Sequence, residues 1–218
     1  MKVKTLHSWE LSQTEAIELQ KTLAKRIITR DNFSEINTVC GVDVGYDKKV
    51  QQATAACVVM SYPALEVIEK VRVTTPIKLH YIPGLLSFRE APALIPAFAR
   101  LKTEPDLVIC DGHGLSHPRR FGLACHLGLL LDTPTIGCAK SLLIGSCSEP
   151  GVTRGSYEYI WDTGEVIGAV LRTKNGVKPV YVSTGHRIGL SSAIDFILGC
   201  TRNHRLTEPV RYADLDAV

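Results

Sequence analysis

A chain of 218 residues with 45% hydrophobic and 22% charged residues falls in the ordinary range for one globular domain with a substantial core. Its net charge of +3 mildly favours an anionic partner without specifying one. The absence of a Gly/Ser linker, low-complexity tract or internal repeat argues against a second domain, and no apolar run approaches the ~20 residues that span a bilayer.

The N-terminal MKVKTLHSWELSQ is polar and charged, with no signal-peptide core. Seven cysteines, an odd number with no C-x-x-C pair, sit mostly in apolar runs and imply a reduced, cytoplasmic setting without a cysteine-built zinc site. Ser12 and Glu15 form a capping box ahead of a helix whose apolar face is Ile17, Leu23, Ala24, Ile27 and Ile28. Three strands follow, at 38–44, 53–61 and 65–75. The first two are continuously apolar, as strands buried on both faces are, and the third alternates like an edge strand.

Farther along, a helix is predicted over 88–101, a strand over 106–110, a helix over 121–131 and a strand over 134–139. Residues 155–173 read as a hairpin turning at Asp162-Thr163-Gly164. A short strand at 180–182 precedes a helix over 191–200, capped by Ser191 or Ser192. Glu208-Pro209 opens a last short helix. Three strands, then alternating helix and strand, imply an α/β fold. Its order is that of a ribonuclease H-like mixed β-sheet flanked by helices, here one domain over 1–218.

Two carboxylates interrupt apolar strands. Asp43 lies inside Gly41-Val42-Asp43-Val44-Gly45, where a buried charge is costly unless paired, protonated or bound to a cation. Asp111 ends the run Leu107-Val108-Ile109-Cys110, where open α/β sheets place ligands. Either alone fits a cap or salt bridge. Together, on neighbouring central strands, they would form an oxygen site for Mg²⁺ or Mn²⁺. Glu90, in the first turn of its helix, either offsets the helix dipole or joins them.

Several short motifs occur in one order: Gly41-Val42-Asp43, Tyr81-Ile82-Pro83-Gly84 running into Glu90, Asp111-Gly112-His113-Gly114, His117-Pro118-Arg119-Arg120, Pro134-Thr135-Ile136-Gly137 with Ala139-Lys140-Ser141, Thr184-Gly185-His186-Arg187, and Glu208-Pro209-Val210-Arg211-Tyr212-Ala213-Asp214. From about residue 7 to 215 the chain resembles endonuclease V. The resemblance implies a DNA repair nuclease that recognises deoxyinosine in single- or double-stranded DNA. Such an enzyme hydrolyses the second phosphodiester bond 3′ to the lesion, leaving 3′-hydroxyl and 5′-phosphate ends.

By that resemblance Asp43, Glu90, Asp111 and Asp214 hold Mg²⁺, with Mn²⁺ able to substitute. Lys140 neutralises the reacting phosphate and His117 donates to it. Tyr81, with Ile82 and Pro83, forms a wedge that fills the space of the flipped base. Gly84, Leu86, Gly112 and Gly122 line the base pocket, and Arg119 and Arg120 contact backbone phosphates. The family further implies a monomer without membrane attachment. His80 stands where relatives often carry proline, which loosens the wedge loop, and some relatives carry His in place of Asp214. Eukaryotic relatives favour inosine in RNA, so an inosine ribonuclease is an alternative, as is a non-catalytic binder of distorted nucleic acid. A Ser116–His117 hydrolase lacks a G-x-S-x-G turn, and a His113–His117 zinc site lacks further ligands.

Overall fold

The computed structural model describes residues 1–77 and 79–218. Eight strands form one mixed sheet: β1 (Thr38–Asp47), β2 (Gln52–Ser61), β3 (Val67–Pro76), β4 (Leu107–Cys110), β5 (Thr135–Ala139), β6 (Tyr157–Asp162), β7 (Glu165–Leu171) and β8 (Val180–His186). Their spatial order is β3-β2-β1-β4-β5-β8-β7-β6. β1, β4 and β5 run parallel at the centre, and the other pairings are antiparallel. This is the expected ribonuclease H-like architecture, with β3 at one edge.

The helices are α1 (Gln13–Ala24), α2 (Leu86–Arg100), α3 (Leu123–Leu131), α4 (Leu190–Gly199) and α5 (Glu208–Ala217). Strand alternation sorts the core into two layers. Val39, Ile109, Ile136 and Val182 pack with Ala193, Ile197, Val210 and Ala213 of α4 and α5. Cys40, Val42, Val44, Val108 and Cys110 pack with Leu94, Phe98, Leu127 and Leu130 of α2 and α3. The continuous apolar pattern of β1, β4 and β5 is therefore burial on both faces.

The Ser12–Glu15 capping box forms as expected: Ser12 Oγ accepts from the Glu15 N–H at 3.3 Å, and Glu15 Oε2 accepts from the Ser12 N–H at 2.8 Å. Four expectations change. α1 stops at Ala24, so Ile27 and Ile28 lie beyond it, and its buried face is Ala16, Gln20 and Leu23. α2 begins two residues before the expected 88, which moves Glu90 past the first turn and away from the helix-dipole role. β8 extends to His186 because Ser183 and Thr184 are buried despite their polarity. α4 is capped from afar: Asp31 accepts from the Gly189 N–H at 2.7 Å and the Ser192 hydroxyl at 2.6 Å, replacing a local serine cap. At the β6–β7 turn, Thr163 and Gly164 both have positive φ, 51° and 82°, as a two-residue hairpin loop requires.

Candidate active site

The parallel centre of the sheet gathers the site. Val42 pairs with Cys110 and Cys110 with Gly137, so β1, β4 and β5 end side by side. The next positions on the α5 side are Asp43 and Asp111, with Lys140 following β5. Gly41 and Gly45 let α5 approach. A methyl at Gly41 would overlap the backbone of Pro209 and Val210, and one at Gly45 the Ala217 carbonyl. With α5 seated on β1, Asp214 faces Asp43, and carboxylate oxygens of Asp43, Asp111 and Asp214 all lie within 4.8 Å of one another.

Lys140 Nζ sits 2.5 Å from Asp111 Oδ2 and 3.4 Å from Asp214 Oδ1. Burial opposes its charge, but the Asp111 bond and the surrounding carboxylates outweigh that and raise its pKa. Burial, then the neighbouring Asp111 charge, pushes the Asp43 carboxyl up to about 6. Glu90 stands apart from this trio. It projects from α2, is buried, and is held well above the usual carboxylate range by burial and then by Asp43 and Asp111. Beside it, the Arg89 guanidinium stacks on Tyr46 at 3.9 Å. Such crowding of oxygen donors suits a hard divalent cation, whose charge would relieve the repulsion.

A cavity of about 260 Å³ opens directly beside this cluster, sharing Asp111 and Lys140 with it. Gly84, Leu86, Gly112 and Gly122 all line the cavity, and exposed Tyr81 stands at it. A methyl at Gly122 would overlap the His113 carbonyl, whereas one at Gly112 would make ordinary contacts of 3.5 Å and 3.8 Å with Leu123 and Leu86. Pro83 is exposed, but Ile82 packs against the cluster of Ala16, Leu85 and Phe88, anchoring the loop.

The basic residues of the 111–122 loop find partners within the chain. His117 is 4% exposed; its Nδ1 accepts from the Arg119 N–H at 3.1 Å, so Nε2 carries the proton and donates to the Gly84 carbonyl at 3.0 Å. Burial, then Arg119, lowers its pKa to about 4. Arg119 donates to Gly84 O at 2.7 Å and to Gln20 Oε1 at 2.6 Å. Arg120 pairs with Asp162 at 2.8 Å and Glu165 at 2.9 Å on the β6–β7 hairpin. All three are engaged within the chain in this structure. Ser116 Oγ, completely buried, donates to the Ile167 carbonyl, which disposes of a serine nucleophile.

A second groove, lined by Lys140, Arg172, Lys178, Tyr181 and Arg205, adjoins the site, and its one acid, Glu149, is paired with Arg172. Sequence reasoning also missed Gln20, which lines the cavity beside the carboxylates. Its signal was a polar residue at an apolar position of the α1 face. All seven cysteines are free, and among the described residues no helix is long and apolar enough to cross a membrane.

A family model described as Endonuclease V matches residues 21–215. The endonuclease V of Nostoc sp. is 50% identical over 215 residues, covering 98% of this chain and 97% of that one. Bacillus subtilis endonuclease V superposes with a TM-score of 0.94 at 35% identity, covering 100% of this chain and 95% of that one. Ciona intestinalis endonuclease V, in complex with a 24mer DNA containing an inosine followed by a ribo-adenosine, gives 0.82 at 31% identity over 93% and 94% of the two chains. A match of this identity along nearly the whole sequence, on the same fold, makes the chain a member of the endonuclease V family.

Proposed function

We propose that this endonuclease acts on deoxyinosine in DNA and hydrolyses the second phosphodiester bond 3′ to the lesion, leaving 3′-hydroxyl and 5′-phosphate ends. The observation that carries the reading is the shared wall: a cavity of about 260 Å³ is lined by Lys140 and by Asp111, which also belongs to the three-carboxylate cluster. The inosine-containing DNA held by the Ciona relative supports the same substrate.

Asp43, Asp111 and Asp214 are the residues that would hold the metal, with the Glu90 carboxyl adding negative charge beside them from α2. Their all-oxygen donor set suits Mg²⁺, with Mn²⁺ as substitute. When bound, the cation supplies Lewis-acid polarisation of the phosphoryl group and favours deprotonation of water. The chain's own residues do the rest. Lys140 is poised to exchange Asp111 for a phosphate oxygen and neutralise developing charge. Tyr81, on a loop anchored by Ile82, is placed to occupy the stack from which the base rotates. Gly84, Leu86, Gly112 and Gly122 shape a pocket in which guanine's exocyclic amine meets a wall. Lys178, which lines the adjoining groove with Lys140, offers positive charge to the strand backbone.

The test is nicking of an end-labelled duplex bearing one deoxyinosine, with and without Mg²⁺. A single Mg²⁺-dependent nick one nucleotide beyond the lesion on its 3′ side is expected; cleavage on the 5′ side, or none, overturns the reading. The ribo-adenosine in the Ciona complex favours one second reading, an inosine ribonuclease. The same assay on matched RNA decides it, since much faster RNA cleavage would displace DNA as the substrate.

A further inference from the structure

Three chain segments that meet at the lesion cavity are joined at one backbone oxygen. The Gly84 carbonyl accepts from Gln20 Nε2 at 3.0 Å, from His117 Nε2 at 3.0 Å and from Arg119 Nη2 at 2.7 Å. Gln20 uses its whole amide here: Nε2 also donates to the Phe121 carbonyl at 3.1 Å, and Oε1 accepts from Arg119 Nε at 2.6 Å. Gln20 is 1% exposed. A carbonyl has two lone pairs, so three donors on one oxygen mark a point that the fold holds firmly. Gly84 itself has φ +79°, a conformation that favours glycine, and a methyl there would stand 2.5 Å from Arg119 Nη2 and displace that guanidinium end.

The geometry follows the walls of the cavity. Gly84 belongs to the loop carrying Tyr81, while His117, Arg119 and Phe121 belong to the loop carrying Asp111 and Gly122. Gln20 comes from α1, which contributes no carboxylate to the cluster. Gln20, Gly84, His117 and Gly122 all line the cavity. Deleting the amide would leave Arg119 Nε and the Phe121 carbonyl without their partner and leave only His117 and Arg119 to hold the Gly84 carbonyl, loosening the tie between the two walls.

We propose that Gln20 is a specificity-determining positioning residue: through the Gly84 carbonyl, it sets the separation of the wedge loop from the 111–122 loop and so the width of the base pocket. This rests on the inosine-endonuclease reading above. Width is what separates hypoxanthine from guanine, which differs by one exocyclic amine. His117 and Arg119 act in the same clamp, as positioning residues and not as phosphate contacts.

Gln20→Met keeps the volume and removes every hydrogen bond. On inosine duplex the expected result is a KM raised about tenfold with single-turnover cleavage at saturation within about threefold of wild type. The preference for inosine over an undamaged guanine duplex falls by about tenfold, since a loosened pocket no longer excludes the amine. Dependence on Mg²⁺ concentration is unchanged. Unaltered KM and preference, or a loss confined to the saturated rate, overturns the inference. A wild-type protein that fails to nick inosine would instead sink the underlying reading. Arg119→Met, at a half-buried rim position, serves where Gln20→Met does not fold. A clamp role predicts the same loss of preference with the salt dependence of DNA binding unchanged. A phosphate contact predicts a binding slope against log salt reduced by about one with preference intact, which overturns the inference.

Discussion

Gly41→Ala tests whether the packing of α5 on β1 assembles the acidic cluster. The added methyl would overlap the Pro209 carbonyl carbon and oxygen and the Val210 nitrogen. These are backbone atoms of a packed helix, so no rotamer change relieves the overlap, and α5 must move outward. Carbon atoms make favourable contact near 3.5–4.0 Å, so the displacement is about 1 Å or more. Overpacking of this kind costs about 1–3 kcal/mol. For a chain of this size each kcal/mol lowers Tm by about 2–4 °C.

The functional loss is the larger one. Asp214 rides on α5, and its carboxylate shares a sphere of 4.8 Å with Asp43 and Asp111. Moving one ligand by about 1 Å degrades a geometry in which such errors cost about a hundredfold in rate. Thermal melting with and without Mg²⁺, beside single-turnover nicking of an inosine duplex, reads both effects. The expected variant melts lower, gains less from Mg²⁺ and nicks about a hundredfold more slowly. A variant with wild-type melting, Mg²⁺ response and rate would refute the claim that glycine at 41 sets the cluster.

Gly112→Ala should behave oppositely: its methyl meets only Leu123 and Leu86 at 3.5–3.8 Å, so Tm stays put while the cavity loses room and inosine cleavage falls by about tenfold or more; a matching fall in Tm would contradict it. Lys140→Ala removes the cation paired with Asp111 and Asp214, and saturated cleavage should drop by about 10²–10³ while inosine-duplex affinity without divalent ions changes little; affinity lost in proportion to rate would make Lys140 a binding residue only. His126, completely buried, has its pKa lowered from 6.5 to about 3, first by burial and then by His7. Its neutral form therefore contributes stability that is full above pH 6.5 and lost as pH falls toward 3, amounting at most to roughly 5 kcal/mol. Tm of wild type should fall more steeply from pH 6.5 to 4 than that of His126→Gln, and parallel slopes would dismiss this source.

Most of the sheet was legible because burial on both faces leaves an unbroken apolar run, as at β1 and β4. A carboxylate inside such a run is conspicuous, which is why Asp43 and Asp111 stood out before any geometry. β8 was cut short by Ser183 and Thr184, whose burial no local pattern announces: the Ser183 hydroxyl accepts from the Gly114 N–H, 69 residues away. The cap of α4 was missed for the same reason, since Asp31 reaches it across 158 residues.

The 111–122 loop shows where residue chemistry stops being informative. A run of histidine and arginine in a nuclease invites phosphates, and the net charge does nothing to resist that reading. Yet a guanidinium with five donors is equally the side chain that can gather several carbonyls in a loop lacking regular backbone pairing. Which use prevails depends on where the unpaired carbonyls lie. Here Gly84 O, 35 residues before Arg119 in sequence, sits at its Nη2, and Asp162 and Glu165 sit at Arg120. Lys140, by contrast, pairs with the Asp111 and Asp214 carboxylates, and a phosphate oxygen can replace one of them without unsatisfying the backbone. The division between basic residues that build the pocket and those that meet the substrate thus follows from what each would leave unpaired on turning outward.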